Sequence, residues 1–420
     1  MDNNARVAEA QRWLTLVGIG EDGVEGLDTR AREAIGAAEV VFGGTRHLAL
    51  AATLITGQAI AWPSPLGDGI EWLLGHRGRR VVVLASGDPF HYGIGATLAR
   101  HVPAEEMSVL AAPSAFSLAC ARMGWPMQST RLVSLHGRPL EAIHPHLHEG
   151  ARLVVLTSDG EAPATIARRL VERGFGRSRV QVLEALDGER ERRSETTAAA
   201  LAEAEESSDP LNVLAVTVVA DSRAQVIALA PGRPDDRFEH DGQLTRRDVR
   251  AMTLARLAPC HGERLWDIGA GSGAIAIEWL LCDDSLEAVA IEAETERVAR
   301  IERNAAAMGV PRLSTVEGRA PQALAELADP DAIFVGGGAS DTELLALCID
   351  RLRPGGRLVA NAVTLETELA LGECYRMLGG ELIRLGHEHA APLGGMTGWA
   401  PARTIVQWCW HKPREFSAPQ

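Results

Sequence analysis

Two loops of unlike design, one in each half of the chain, carry residue types suited to cradling a small polar ligand. They are Ser86-Gly87-Asp88-Pro89 and Asp267-Ile268-Gly269-Ala270-Gly271-Ser272-Gly273. Each ends an apolar run and opens an amphipathic one, so each reads as a strand-to-helix turn whose backbone N–H groups can face a ligand. Two ligand sites of unrelated construction imply two fused catalytic domains.

The second loop is the more specific of the two. Glycines 269, 271 and 273 remove Cβ atoms where the backbone must turn and approach a ligand closely, with Ala270 and Ser272 between them. Glu292 ends the next apolar run, where a carboxylate can accept hydrogen bonds from ribose hydroxyls. That spacing also permits a dinucleotide. A G-x-G-x-G loop behind Asp267 suits S-adenosylmethionine instead, which has no pyrophosphate to seat on a helix N-terminus. Further on, Glu317-Gly318-Arg319-Ala320 would border the adenine. Gly336-Gly337-Gly338 stands where nucleobase amino-methylating enzymes carry an Asn/Asp-Pro-Pro-aromatic element, and three glycines suggest room for a wide substrate.

In the first half, Gly18-Ile19-Gly20-Glu21-Asp22-Gly23 matches the literal G-x-G-x-x-G of dinucleotide folds. A lone match is weak, and the following strand runs into Phe42-Gly43-Gly44 rather than a carboxylate. The pair Gly87-Asp88-Pro89 and Pro113-Ser114 is read as one site, although Asp88 and Ser114 could each be a simple helix cap. His144-Pro145-His146-Leu147-His148 and His387-Glu388-His389 invite a metal, but nothing supplies convergent partners, so no metal site is expected. Pro392 to Trp399 reads as a lid or as a hairpin loop.

A chain of 420 residues with 46% hydrophobic content suits two or three domains. The formal charge is −14, with 24 basic and 32 acidic residues up to Gln243 and 18 and 24 after it. Neither half has the cationic excess that a nucleic-acid backbone requires, so no nucleic-acid partner is expected. Six scattered cysteines without a C-x-x-C pair fit a reduced, cytoplasmic protein. The polar start from Met1 to Arg12 and the lack of any apolar stretch near 20 residues argue against a membrane partner.

Short apolar runs at 14–17, 40–42, 81–84, 132–135, 153–156 and 213–216 alternate with helical segments such as 162–173, an α/β pattern with mostly parallel strands. Pro231 to Gln243 gathers turn residues and reads as a linker. A second series follows, with a helix from about Thr245 and strands near 264–268, 288–291, 313–316, 332–335 and 357–360, then 382–385 and 404–410. That series fits a doubly wound, Rossmann-like sheet of the methyltransferase type. Domains are accordingly expected at 1–230, with subdomains about 1–112 and 113–230, and at 244–420.

These residues carry a family resemblance. Trp13 to Ala230 resembles the tetrapyrrole methylases, through Val17-Gly18-Ile19-Gly20, Gly87-Asp88-Pro89, Pro113-Ser114-Ala115-Phe116-Ser117, Leu135-His136-Gly137-Arg138-Pro139 and Leu156-Thr157-Ser158-Asp159. From about Phe238 the chain resembles the C15-methylating, decarboxylating enzymes of the corrin pathway. The matching residues are Gly242-Gln243-Leu244-Thr245-Arg246-Arg247-Asp248-Val249-Arg250, Trp266 to Gly273, Ile277-Glu278-Trp279 and Gly336-Gly337-Gly338.

The resemblance implies a two-subdomain tetrapyrrole methylase fold followed by a class I methyltransferase fold, with one S-adenosylmethionine per domain. It implies an enzyme of cobalamin biosynthesis that methylates C5 and C15 of precorrin-6B and removes the C12 acetate carboxylate to give precorrin-8X. Carried over by position, Gly18, Gly20, Gly87, Asp88, Pro89 and Ser114 would line the first cofactor site. Thr245, Gly269, Ala270, Gly271, Ser272, Gly273, Glu292, Arg319 and Ala320 would line the second. Arg319 departs from a family pattern of Gly-Asp-Ala, leaving the adenine amine to backbone groups. The polyacid substrate would use arginines, with Arg46, Arg246 and Arg250 the candidates, while no residue is assigned to catalysis. Relatives of both halves self-associate, so a homo-oligomer is expected. A methyltransferase acting on RNA or another small molecule, a non-catalytic sensor and a nicotinamide enzyme are the competing readings.

Overall fold

A computed structural model describes residues 12–414, so the polar start, apart from Arg12, lies outside the described residues. The chain divides into two compact units: Met1–Leu140 with His146–Gln225, and Glu141–Pro145 with Val226–Gln420.

The first unit holds two five-stranded sheets. Strands β1 (Leu14–Ile19), β2 (Val40–Gly43), β3 (Gln58–Ala61), β4 (Val81–Ser86) and β5 (Met107–Leu110) lie parallel in the order β3-β2-β4-β1-β5. Successive strand residues point to opposite faces, so each face buries its own set. Leu14, Leu16, Val81 and Val83 pack with Ile70 and Leu73. Val17, Ile19, Val82 and Leu84 pack with Ala31 and Ile35 on the other face. Asp28 starts the helix Thr29–Ala37 there by accepting the Ala31 N–H at 2.7 Å.

The second sheet takes β6 (Arg131–Ser134), β7 (Arg152–Leu156), β8 (Arg179–Glu184), β9 (Arg192–Thr197) and β10 (Asn212–Thr217) in the order β6-β7-β10-β8-β9. Only β6 and β7 pair in parallel here, so the parallel pattern expected of this half holds throughout the first sheet and in one pairing of the second. Apolar runs announce a strand but not its direction. Direction is set by the connections, and the short link from β8 to β9 forces a hairpin.

The second unit is a seven-stranded sheet. It comprises β11 (Arg264–Ile268), β12 (Glu287–Glu292), β13 (Ser314–Glu317), β14 (Ala332–Val335), β15 (Arg357–Ala362), β16 (Glu381–Leu385) and β19 (Ile405–His411), in the order β13-β12-β11-β14-β15-β19-β16. β19 runs antiparallel to both neighbours. The order reverses between β11 and β14, the place where an open α/β sheet leaves a crevice outside its strand ends. Leu265, Ala290 and Phe334 face helices carrying Leu254, Ile275 and Trp279, whereas Trp266, Ile291 and Ile333 face Leu344, Cys348 and Leu371. Each fully buried side chain of this size stabilises by roughly 1.5–3 kcal/mol.

Pro392 to Trp399 is a hairpin, as one of the two readings had it, with its arms paired as strands. It forms the tip of a two-stranded ribbon, β17 (Glu388–Leu393) and β18 (Met396–Pro401), which turns at Gly394 with φ +60°. Nor is 231–243 a free linker, because it packs within the second unit with Arg233 and Phe238 buried. Glu278, fully buried, fastens it. Its carboxylate accepts the N–H groups of Gly232 (2.6 Å) and Arg233 (3.0 Å) and the Arg250 Nε–H (2.8 Å). Removing one partner of a buried ion pair strands the other, so Glu278→Ala is expected to destabilise the second unit by about 3–5 kcal/mol. Denaturant unfolding of the full chain checks this: the transition of that unit should move to lower denaturant, and an unmoved midpoint contradicts it.

Candidate functional site

In the first unit, β1 lies between β4 and β5, so the loops leaving three parallel strands meet at one end of the sheet. They meet closely. A Cβ on Gly18 would stand 1.8 Å from the Gly87 carbonyl oxygen, and one on Gly87, at φ +54°, would stand 2.6 Å from that of Pro113. Gly87 donates to Ile19 O at 3.2 Å, and Ala112 donates to Gly87 O at 3.2 Å. Gly20 follows the end of β1, where the Asp22 carboxylate leaves no space for a Cβ. Asp88 turns the loop after β4 by accepting the Phe90 N–H at 2.8 Å, with Pro89 buried behind it. Ser114 caps the helix Ala115–Met123 through the Ser117 N–H (3.2 Å) and bonds His91 Nδ1 at 3.0 Å. The six residues chosen here from sequence thus share one end of one sheet.

Sequence reasoning assigned no role to His91, Tyr92 or Arg138. His91 packs 4.7 Å from the Phe116 ring, and the Arg138 guanidinium lies 4.9 Å over Tyr92. Arg46 stands beside the last residue of β4, bonding Ser86 Oγ at 3.0 Å and pairing with Glu21. His47 shares Ser86 Oγ at 2.8 Å, and burial followed by the Arg46 charge lowers its pKa to about 4. A smaller cavity of about 270 Å³ lies on the second sheet, by Trp125, Gln181 and Arg193, away from these loops.

In the second unit, an open cavity of about 1130 Å³ lies outside the ends of β11 and β14. Its lining includes Gly269, Ala270, Gly271 and Ser272, together with Gly336, Thr245 and Arg246. Gly269 and Gly271 have φ of +69° and +59°, and added Cβ atoms would meet Gly337 N and Gln243 O at 2.9 Å. Gly273, at φ +75°, opens the helix Ala274–Leu280 against Ile301. Glu292 holds the loop from the side: its Oε2 accepts the Gly271 N–H at 2.8 Å, and its Oε1 accepts those of Ala293 (3.0 Å) and Glu294 (3.2 Å). Arg319 and Ala320 follow β13 one strand further out, where Gly318 donates to Glu292 O at 2.9 Å. Gly273, Glu292, Arg319 and Ala320 are not on the cavity wall itself.

Arg250 is not a substrate contact. It is fully buried under Phe238, with its donors taken by Glu278, Asp235 (3.1 Å) and the carbonyls of Thr245 and Arg233. The reason is tertiary: its helix, Arg247–Leu257, turns this residue toward Glu278 rather than toward solvent. Arg246 does line the cavity, with its side chain 59% exposed and only a 3.5 Å contact to Asp235. Arg403 lines it too, with no ion pair among the described residues, and no spacing announced it. The premise that nothing converges on His387 and His389 is also corrected. Ligand atoms of Asp248, His387 and His389 lie within 4.8 Å of one another on the cavity rim.

Asp267, 1% exposed, anchors the glycine loop by accepting the Ala276 N–H at 3.0 Å. Burial, with a further push from Glu292, raises its carboxyl to about 7 from an ordinary 3.8. The folded chain therefore binds a proton here that the unfolded chain has released, and stability falls as pH rises from about 4 to about 7. Asp267→Asn should remove that slope, worth on the order of a few kcal/mol. Melting temperatures across this range check it: equal slopes for both proteins would contradict the assignment.

A seven-stranded open sheet with an antiparallel β19, a glycine loop after β11 and a carboxylate ending β12 define the class I methyltransferase architecture. Residues 13–202 match the family model of the tetrapyrrole (corrin/porphyrin) methylases, and residues 236–412 that of the precorrin methyltransferase domain. Over 98% of its length the chain is 54% identical to a precorrin-6Y C(5,15)-methyltransferase (decarboxylating) from Sinorhizobium sp, spanning 99% of that protein. A cobalt-precorrin-7 C(5)-methyltransferase from Salmonella typhimurium is 36% identical over 43% of this chain and 88% of its own. A probable cobalt-precorrin-6B C(15)-methyltransferase (decarboxylating) from Saccharolobus solfataricus is 34% identical over 33% of this chain and 72% of its own. The chain belongs to the precorrin-6Y C5,15-methyltransferase (decarboxylating) family. It is a decarboxylating C-methyltransferase dependent on S-adenosylmethionine. Among the described residues no helix is long and apolar enough to cross a membrane.

Proposed function

We propose that the chain methylates C5 and C15 of precorrin-6B and decarboxylates its C12 acetate to precorrin-8X, with one cofactor site in each unit. C5 methylation belongs to the first unit, and C15 methylation with decarboxylation to the second. The observation that carries this reading is the cavity of about 1130 Å³, which is lined by the glycine loop and by Arg246 and Arg403 and has room for a flat polyacid beside a nucleoside.

The residues present fit the cofactor in the second unit, since Gly269, Ala270, Gly271 and Ser272 line the cavity and Gly269 is exposed there, and in the first unit the strand-end loops pass so closely that a Cβ on Gly18 or Gly87 would meet backbone. In the second unit Thr245, Gly269, Ala270, Gly271, Ser272, Gly273, Glu292, Arg319 and Ala320 would hold it. In the first, Gly18, Gly20, Gly87, Asp88, Pro89 and Ser114 would do so. When bound, S-adenosylmethionine supplies an electrophilic methyl group. Electron-rich macrocycle carbons need no strong base to react with it, so the protein contributes mainly proximity and orientation. Arg246 and Arg403 would orient the macrocycle by its carboxylates, and Arg46 would do so in the first unit, with the planar fork that suits such groups. The same reading makes the enzyme a cytoplasmic homo-oligomer, and six free thiols fit a reducing compartment.

Two substitutions in the full chain test the division of labour. Glu292→Ala removes a charged acceptor and should weaken cofactor binding in the second unit roughly ten- to a hundredfold. It should depress C15 methylation and decarboxylation while C5 methylation persists. Asp88→Ala should do the reverse. Product analysis by mass and NMR decides, and loss of all three activities in either folded variant would contradict independent sites.

A further inference from the structure

Methyl transfer leaves one step of the reaction without a partner in the protein. When a carboxymethyl side chain loses carbon dioxide, the electron pair of the broken C–C bond stays on the methylene carbon and spreads into the conjugated ring. That carbon becomes a methyl group only by accepting a proton. The donor must reach the macrocycle from the cavity that also presents the activated methyl, and it must be protonated near neutral pH. Imidazole is the side chain most often used for such a transfer.

The second-unit cavity has two histidines on its wall, two residues apart in the chain. His387 immediately precedes β17 and His389 lies within it, and their rings meet edge to face at 4.7 Å. Asp248, in the first turn of the helix Arg247–Leu257, stands across from them with its Oδ2 3.7 Å from His387 Nε2. Two elements far apart in sequence thus bring the two imidazoles and this carboxylate to the cavity that Arg246 and Arg403 also line. Asp248 thus fixes the His387 ring from the helix side, and His389 is exposed to water.

We propose that the His387–His389 pair, braced by Asp248, donates the proton that turns the decarboxylated C12 side chain into a methyl group. The N–H bond of an imidazolium breaks as the C–H bond forms, and the neutral ring regains its proton from solvent. The two imidazoles are catalytic residues in this account, and Asp248 is a positioning residue. The proposal rests on the function assigned above to the second unit.

The test uses the full chain with precorrin-6B carrying ¹³C at the methylene of its C12 acetate and S-adenosylmethionine carrying a ¹³C methyl, following the C15 and C12 methyl signals separately by NMR. His387→Ala/His389→Ala is expected to slow C12 methyl formation about 10²- to 10⁴-fold. C15 methylation should stay within about threefold, as proximity rather than proton transfer governs it. Calorimetric binding of S-adenosylhomocysteine should be unchanged. Added imidazole should restore C12 methyl formation by roughly tenfold or more, as a mobile acid replaces the missing one. Asp248→Asn should slow the same step, and Asp248→Glu should recover most of it. The proton-donor assignment is overturned if both methyl signals fall together, if neither falls, or if imidazole has no effect. It is likewise overturned if a chelator abolishes the wild-type step and zinc alone restores it. A wild-type chain that forms neither methyl group from this macrocycle would overturn the functional reading as well.

Discussion

Backbone passing within contact distance of backbone is the constraint on which both units depend. Loops leaving adjacent parallel strands are brought together by the strand spacing itself, a few ångströms apart. At Gly18 against Gly87, and at Gly269 against Gly337, nothing larger than hydrogen fits between them. Glycine is needed at these points for space, and at Gly87, Gly269, Gly271 and Gly273 for a left-handed φ as well. The outcome is a surface of peptide groups instead of side chains, firm because each loop is bonded to the next.

The two units reach that outcome by different means. In the first, the clamp is backbone to backbone, Gly87 to Ile19 and Ala112 to Gly87, with Ser114 closing the third loop as a helix cap. In the second, carboxylates do the fastening: Asp267 holds the far side of the loop and Glu292 the near side. Glu278 performs the same service one layer out, fastening 232–250 so that Thr245 and Arg246 line the same cavity as the glycines. Buried carboxylates are costly unless bonded: Glu278 and Glu292 accept N–H groups on both oxygens, whereas Asp267 accepts through Oδ2 alone, in keeping with its raised pKa.

Much of this was legible from residue order. Apolar runs gave β11 and β14 to the residue, because parallel strands buried on both faces leave an uninterrupted apolar signature. The glycine loops were legible because close approach admits one residue type. Strands β3 and β9 were not, since Gln58–Ala61 and Arg192–Thr197 are edge strands that stay largely exposed and carry no alternation. The ribbon of β17 and β18 was hidden for the same reason, with Leu393, Met396 and Trp399 exposed on it. Arg250 shows a second limit. An arginine at the start of a helix looks like any surface cation until the fold brings Glu278 beneath it. The meeting of Asp248 with His387 and His389 is of that kind too, a product of how β17 returns past the helix Arg247–Leu257.

The account stands on each unit presenting its own peptide-lined cofactor site. Calorimetric titration of the full chain with S-adenosylhomocysteine measures this directly. Two molecules bound per chain, falling to one when Glu292 is replaced by alanine at concentrations that leave the weakened site empty, is the result the account requires. One molecule per chain in the unaltered protein would contradict it.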